Sequence, residues 1–245
     1  MKAAAVALAL ALLAFVTVVA GAQTQGVLFR EDFAATPDSA WGELPSAWWL
    51  EGAAGGVRAR IHEGRLWVDA NQPKSPGATV WLDRVFSGDL EVSFDVQVVA
   101  SATGANNMNL FLLFADPANA DWRTSARERA DGRYAAYHSG RLRGTILTFL
   151  ADEPDRSVAR VRLRQVPPFE PVVAEYTGYH AQAGRTYRVC IVRARGKLVV
   201  EIDGKQVIDV ADSSPGAVGR IGFRTWRTEV WWDNLVIRRP ATKPR

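Results

Sequence analysis

Cysteine is almost missing from this chain. Cys190 is the single one in 245 residues, so no internal disulfide can staple the fold. It sits in the apolar run TYRVCIVRA, the setting of a small buried hydrophobe rather than of a reactive thiol. Histidine is scarce too: His62, His138 and His180 are the three. None stands in a His-x-x-x-His spacing, which argues against a zinc site. The formal net charge is only +4, and like charges form no block, so nothing asks for nucleic acid as a partner. No motif calls for a cofactor, and a calcium site has only scattered Asp and Asn to draw on. Helical periodicity is nearly absent after the N-terminal stretch.

What is present begins with MKAAAVALALALLAFVTVVAGA. A positive start at Lys2, an uncharged apolar run and the small residues Ala20-Gly21-Ala22 have the pattern of a signal peptide, 1–22, cleaved after Ala22. That predicts an extracytoplasmic protein, periplasmic or secreted, with no membrane partner after cleavage. The apolar run is long, so a retained anchor is the alternative. No cysteine near the site offers a place for a lipid. The rest suits a single all-β domain, 23–240, followed by a frayed tail, 241–245. A domain of that length can bury a sizeable core without disulfides.

Strand patterning fills that domain. In DLEVSFDVQVV, Leu90, Val92, Phe94, Val96 and Val98 fall on one face, and Asp89, Glu91, Ser93, Asp95 and Gln97 on the other. This is period-two alternation, a strand with one face in a core. ATVWLDR, MNLFLLFA, TILTFLA, ARVRLRQV, KLVVEID, GRIGFRTW and EVWWDNLVI read similarly. EIDGKQV predicts a hairpin with Asp203-Gly204 at its tip, the pair that a type I′ turn prefers. One polar segment departs from the pattern, and Asn119 to Ala130 is expected as a short helical excursion. Many strands in one domain mean a sandwich or a barrel, and periodicity alone leaves both open.

Resemblance narrows the choice. LFREDF, GRLWVD, GDLEVSFDVQV and VGRIGFRTWRTEVWWDNLVI resemble the concanavalin A-like lectin/glucanase jelly roll. More narrowly, YAAYHSG with VRLRQVPPF and KLVVEIDGKQVIDV resembles the family called domain of unknown function 1961. The most specific elements are Tyr137-His138-Ser139-Gly140 and Ile221-Gly222-Phe223-Arg224. The resemblance implies a jelly-roll sandwich of two antiparallel sheets. It also implies a saccharide site on the concave face and an oligo- or polysaccharide partner. It supplies no reaction.

The chemistry must come from residues. A retaining glycosidase needs two carboxylates about 5–5.5 Å apart and an inverting one about 6.5–9.5 Å. Strand residues two apart are separated by about 7 Å, and residues four apart by about 13 Å. Glu201 and Asp203 run into the hairpin and lack a third carboxylate. Asp89 and Glu91 come within inverting reach, but an ordinary exposed strand face shows the same pattern. Glu229 and Asp233 are too far apart. A two-carboxylate hydrolase is therefore disfavoured.

Arg160, Arg162 and Arg164 share one strand face. Such a row presents forked donors that fit carboxylates, among them uronates. The competing expectation is that it lies beside the acidic face of residues 89–97 and neutralises it. In DGRYAAYHSGRLRG, His138 and Tyr137 are the candidate catalytic groups, His138 as an acid or base near neutral pH. If the segment is extended they point apart, and His138 faces away from Ser139. Tyr134, Arg162, Arg164, Arg224, Trp226 and Asn109 are the candidate substrate-binding residues. The bland alternative is a loop that bonds its own backbone, with His138 fixing it. Nine tryptophans offer stacking surfaces for sugars, although most must be core. Trp48-Trp49 and Trp231-Trp232 should each place one ring per sheet face. Two functions stay open: a glycosidase or lyase acting on a polysaccharide fragment, uronate-containing ones included, or a non-catalytic carbohydrate-binding or surface-interaction module.

Overall fold

The structure is a computed structural model that describes residues 26–119, 121–150 and 160–241. The expected signal segment, 1–22, and residues 242–245 of the expected tail lie outside the described residues.

The chain runs through strands β1 Val27–Glu31, β2 Trp48–Glu51, β3 Arg58–His62, β4 Arg65–Asp69, β5 Ala78–Leu82 and β6 Phe86–Ser87. There follow β7 Leu90–Ser101, β8 Met108–Ala115, β9 Arg143–Leu150, β10 Arg160–Val166 and β11 Ala174–Tyr176. The last are β12 Thr186–Ala194, β13 Lys197–Ile202, β14 Lys205–Ala211, β15 Val218–Thr225 and β16 Thr228–Arg238. They build two antiparallel sheets. The first has the order β14-β13-β12-β7-β16-β4-β3, with β1 also on β16; the second has β11-β10-β9-β8-β15-β5-β2, with β6 on β15. The all-β reading holds. Among the described residues no helix is long and apolar enough to cross a membrane.

Alternation explains the main core. Leu90, Val92, Phe94, Val96 and Val98 of β7 all point inward, as their spacing requires, and meet Leu110 and Leu112 of β8 and Phe223 of β15. Trp48 and Trp232 lie on either side of Phe223, with ring centroids 6.2 and 5.2 Å away. Each fully buried large side chain of this kind contributes about 1.5–3 kcal/mol of burial. Asp203 and Gly204 have φ of 52° and 74°, the left-handed pair that a type I′ hairpin demands.

Two expectations need correction. The short helical excursion is present, but with other bounds than Asn119–Ala130: among the described residues a 3-10 turn spans Ala126–Arg129 and an α-helix, α1, covers Ala135–His138. The cause is local competition. Asp116 takes the Ala118 N–H, while Asp121 takes the Arg123 N–H and the Thr124 hydroxyl. Such side-chain turns draw the backbone away from a regular helix.

The second correction concerns the hollow side. Half of the outer face of the second sheet is dry. Trp81, Phe111, Phe114 and Ile146 stand on that face and meet Trp122, Tyr137 and Leu142 of the excursion that follows β8, forming a second apolar cluster. This is why β5 and β8 read as near-continuous apolar runs: they are buried on both faces. Trp49 joins the second cluster while Trp48 joins the first, so that tryptophan pair divides between faces as its spacing predicts.

Candidate functional site

The wet half of the same face is built from one register row. Glu51, Thr79, Arg224, Asn109, Thr148, Arg162 and Glu175 are successive cross-strand partners from β2 to β11. Two residues along, the next row reads Trp49, Trp81, Gly222, Phe111, Ile146 and Arg164. A polar row therefore lies against a nearly apolar one. Period-two alternation puts both on the outer face; the excursion covers the second row and, of the first, only the end at Glu51 and Thr79.

The inner end of the polar row is sealed. Arg129 gives two hydrogen bonds to Glu51, at 2.9 and 2.8 Å, and the Tyr137 hydroxyl donates a third at 3.0 Å. Both side chains of the ion pair are only 2% exposed. Next to it, Arg224 donates to the Thr79 hydroxyl at 3.0 Å and to the carbonyls of Pro76 and Gly132, both at 2.8 Å. Its guanidinium lies over the rings of Tyr134 and Tyr137, at 5.2 and 5.0 Å. Burial pulls the Arg224 pKa down from its ordinary value. Its acceptors are a hydroxyl and two carbonyls, so its charge is solvated by dipoles and not by a touching carboxylate. The Gly132 backbone, at φ +72°, approaches so closely that a Cβ there would run into the Gly77 carbonyl and the Gly52 Cα.

Beyond Arg224 the row opens into a cavity of about 490 Å³. Tyr134, Arg162, Arg164, Arg224, Trp226 and Asn109 all line it, as do Thr148, Asn107 and Phe169. The six residues expected to bind substrate thus share one wall system. Arg162 pairs with Glu175, and Arg164 reaches Glu170 at 3.2 Å while lying 4.8 Å over the Phe169 ring. No Asp or Glu lines the cavity among the described residues.

The two expected catalytic groups lie elsewhere. Tyr137 is fully buried behind the wall, and burial, with Glu51 beside it, pushes its hydroxyl pKa up. It anchors the excursion. His138 stacks on Phe169 with centroids 3.9 Å apart and meets Tyr134 edge-on at 4.9 Å. Burial lowers its pKa, and the charges of Arg164 and Arg224 lower it further, so the ring is neutral near pH 7. Because the segment is helical and not extended, Ser139 and His138 touch, Oγ to Nδ1 at 3.1 Å. Tyr134 and His138 likewise share a helix face at i, i+4.

The acidic face of β7 is on the other side of the sandwich. Asp95 pairs with Arg188 at 3.0 Å and Glu91 with Arg238 at 2.6 Å. The arginines of β10 therefore do not neutralise it; they belong to the opposite sheet. No group of three or more His, Cys, Asp or Glu is placed to hold a metal ion among the described residues.

Sequence reasoning missed Glu51, Arg129, Thr79, Thr148 and Phe169. A signal existed for part of this. Thr79 in ATVWL, Asn109 in MNLFLLFA and Thr148 in TILTFL are rare polar residues in strands apolar on both faces. Aligning those interruptions across strands gives the row.

A sandwich of two antiparallel sheets is the architecture that the concanavalin A-like resemblance implied. Residues 73–235 match the family described as Domain of unknown function (DUF6250), and the chain belongs to that family. Among solved structures, a Bacillus subtilis protein of unknown function with a galectin-like fold is similar, with TM-score 0.69 and 18% identity over 89% of this chain and 98% of that one. The Emp47p carbohydrate recognition domain gives 0.64 and 14% over 90% and 100%. The VIP36 exoplasmic/lumenal domain, in its Ca2+/Man3GlcNAc-bound form, gives 0.56 and 11% over 81% and 86%. At these identities the likeness establishes the jelly-roll fold alone. No curated protein is matched.

Proposed function

We propose that the cavity binds an acidic saccharide, a uronate-containing oligo- or polysaccharide fragment, and that the protein does so outside the cytoplasm after losing residues 1–22. The observation that carries this reading is the convergence of Arg162, Arg164 and Arg224 with Asn109 and Trp226 on one cavity. Guanidinium forks match carboxylates in shape and charge. Side-chain amides and the Thr148 hydroxyl suit sugar hydroxyls, and an indole face suits the C–H side of a pyranose. Two of the similar structures, the Emp47p carbohydrate recognition domain and the glycan-bound VIP36 domain, lend the class of ligand support. The narrower kinship with domain of unknown function 1961, resting on Tyr137–Gly140 and Ile221–Arg224, belongs to the same proposal.

Titration calorimetry with galacturonate, glucuronate and mannuronate oligomers, against neutral glucan and mannan oligomers, tests it. Binding confined to the uronates, and weakened by Arg162→Ala and Trp226→Ala, is expected. Equal binding of the neutral set, or of nothing, would refute it.

A second reading is favoured by one feature. The Tyr134 ring lines the cavity beside Arg164 and Arg224, with neutral His138 against it. An arginine neutralising a uronate carboxylate, a base taking the C5 proton, and the sugar oxygen on C4 leaving and picking up a proton as the C4–C5 double bond forms, is the chemistry of β-elimination. Ultraviolet absorbance of an unsaturated uronate product, present in the wild type and lost in Tyr134→Phe, would establish that reading. A two-carboxylate hydrolase draws no support from a cavity without Asp or Glu on its described walls.

A further inference from the structure

The polar row is closed at one end. From the exposed Glu175 on β11 it passes Arg162, Thr148 and Asn109 and stops at Arg224. Beyond Arg224 the same row continues as Thr79 and Glu51, both buried, under Gly132, Arg129 and Tyr137. Along one flank Tyr134 of the excursion and Phe169 of the segment after β10, which pack on the second apolar cluster, close it again. A polymer laid across this sheet face has no exit past Arg224. The cavity volume of about 490 Å³ is in the range that encloses a small ligand, about two sugar rings, and not a long chain.

Charge is arranged along the same line. Near the open end Arg162 has Glu175, and Arg164 has Glu170. At the closed end Arg224 has, among the described residues, a hydroxyl and two carbonyls as acceptors. They occupy three of its five N–H groups. Among the described residues no carboxylate touches Arg224; the side chain is buried, 1% exposed, and lines the closed end of the cavity.

From this we infer that the cavity recognises the terminal residue of an acidic glycan, which enters carboxylate first toward Arg224 while the rest of the chain leaves along Thr148 and Arg162 past the β11 edge. The inference rests on the saccharide reading above and adds a direction and a chain end to it. An internal uronate, substituted on both sides, cannot reach Arg224.

Calorimetry on the unaltered protein decides it. Galacturonate oligomers of one to six residues are compared with polygalacturonate and with a hexamer capped at both ends by neutral hexoses. Affinity is expected to level off by about the trimer, changing less than about threefold to the hexamer, and the capped hexamer is expected to bind at least about tenfold more weakly. The number of proteins bound per polymer chain should not grow with its length. Affinity that climbs through the hexamer, many proteins per chain, or equal binding of the capped hexamer would overturn the inference and leave the saccharide reading standing. Failure of every uronate to bind would remove both. Arg224→Gln should erase the difference between capped and uncapped hexamers. Since that side chain is buried, its thermal transition is followed in parallel, and the length series carries the test should the variant not fold.

Discussion

Replacing Arg129 by methionine tests how the cavity is held in shape. The substitution roughly preserves volume and removes both guanidinium bonds to Glu51, at 2.9 and 2.8 Å. The carboxylate is then left in a site where its side chain is 2% exposed, with the Tyr137 hydroxyl as its remaining side-chain donor. Breaking a buried ion pair from one side costs about 3–5 kcal/mol, because the surviving charge stays desolvated. With a urea dependence of about 2–3 kcal/mol per molar, the unfolding midpoint should fall by roughly 1–2 M. Tyr137→Phe removes one bond to a charged acceptor and should cost less, about 1.5–3 kcal/mol. The double change Glu51→Leu with Arg129→Met removes both charges and should recover most of the loss. Equilibrium urea unfolding followed by tryptophan fluorescence measures all three. A loss under about 1 kcal/mol for Arg129→Met, or a double variant no better than the single one, would refute the claim that this pair pins the excursion.

Other outcomes follow from the same contacts. Gly132→Ala must accept φ +72° and a Cβ pressed on the Gly77 carbonyl; a loss of about 2–4 kcal/mol is expected in the same urea assay, with weakened saccharide binding. Asp116 is opposed by burial, which alone would raise its pKa, but hydrogen bonds from Arg141, Asn119 and the Ala118 N–H win and hold it well below the usual range. A depressed native pKa gives stability that is present above the unfolded value of about 4 and lost as pH falls below it. Thermal melts of the wild type should therefore drop on acidification below about pH 4, and Asp116→Asn should show a shallower drop. His138, neutral near pH 7 because burial and two arginines disfavour its charge, should gain a proton on acidification and add a cation beside the cavity. Uronate binding should tighten as the pH falls below the ordinary imidazole value of about 6.5 in the wild type and change less in His138→Gln.

Much of the fold was legible because alternation is a backbone property. Leu90, Val92, Phe94, Val96 and Val98 had to share a face, and Asp203-Gly204 had to turn. Legibility ended where a strand is buried twice. Phe111 and Trp81 look like main-core residues in sequence, yet they belong to a second cluster whose other half comes from Trp122 and Tyr137. No local period announces such a partner. The misjudged helix bounds have a related cause: Asp116 and Asp121 hold turns through side-chain bonds, which helix-boundary signals do not register. For the site, residue type and strand spacing brought Arg162, Arg164, Arg224, Asn109 and Trp226 forward, and the fold set them around one cavity. Tyr137 stands among the catalytic candidates by residue type alone, and type does not reveal that four residues form a helical turn that buries it. Glu51 was invisible because its partner, Arg129, is 78 residues away.

The account stands on the polar row of the second sheet being where an acidic glycan sits. A crystal structure of the protein soaked with a galacturonate trimer tests that directly. The expected result is a terminal carboxylate within hydrogen-bond reach of Arg224, a second near Arg162, and a sugar ring against Trp226. Trimer density on the outer face of the first sheet, beside Arg188 and Arg238, with the Arg224 cavity holding only solvent, would contradict it.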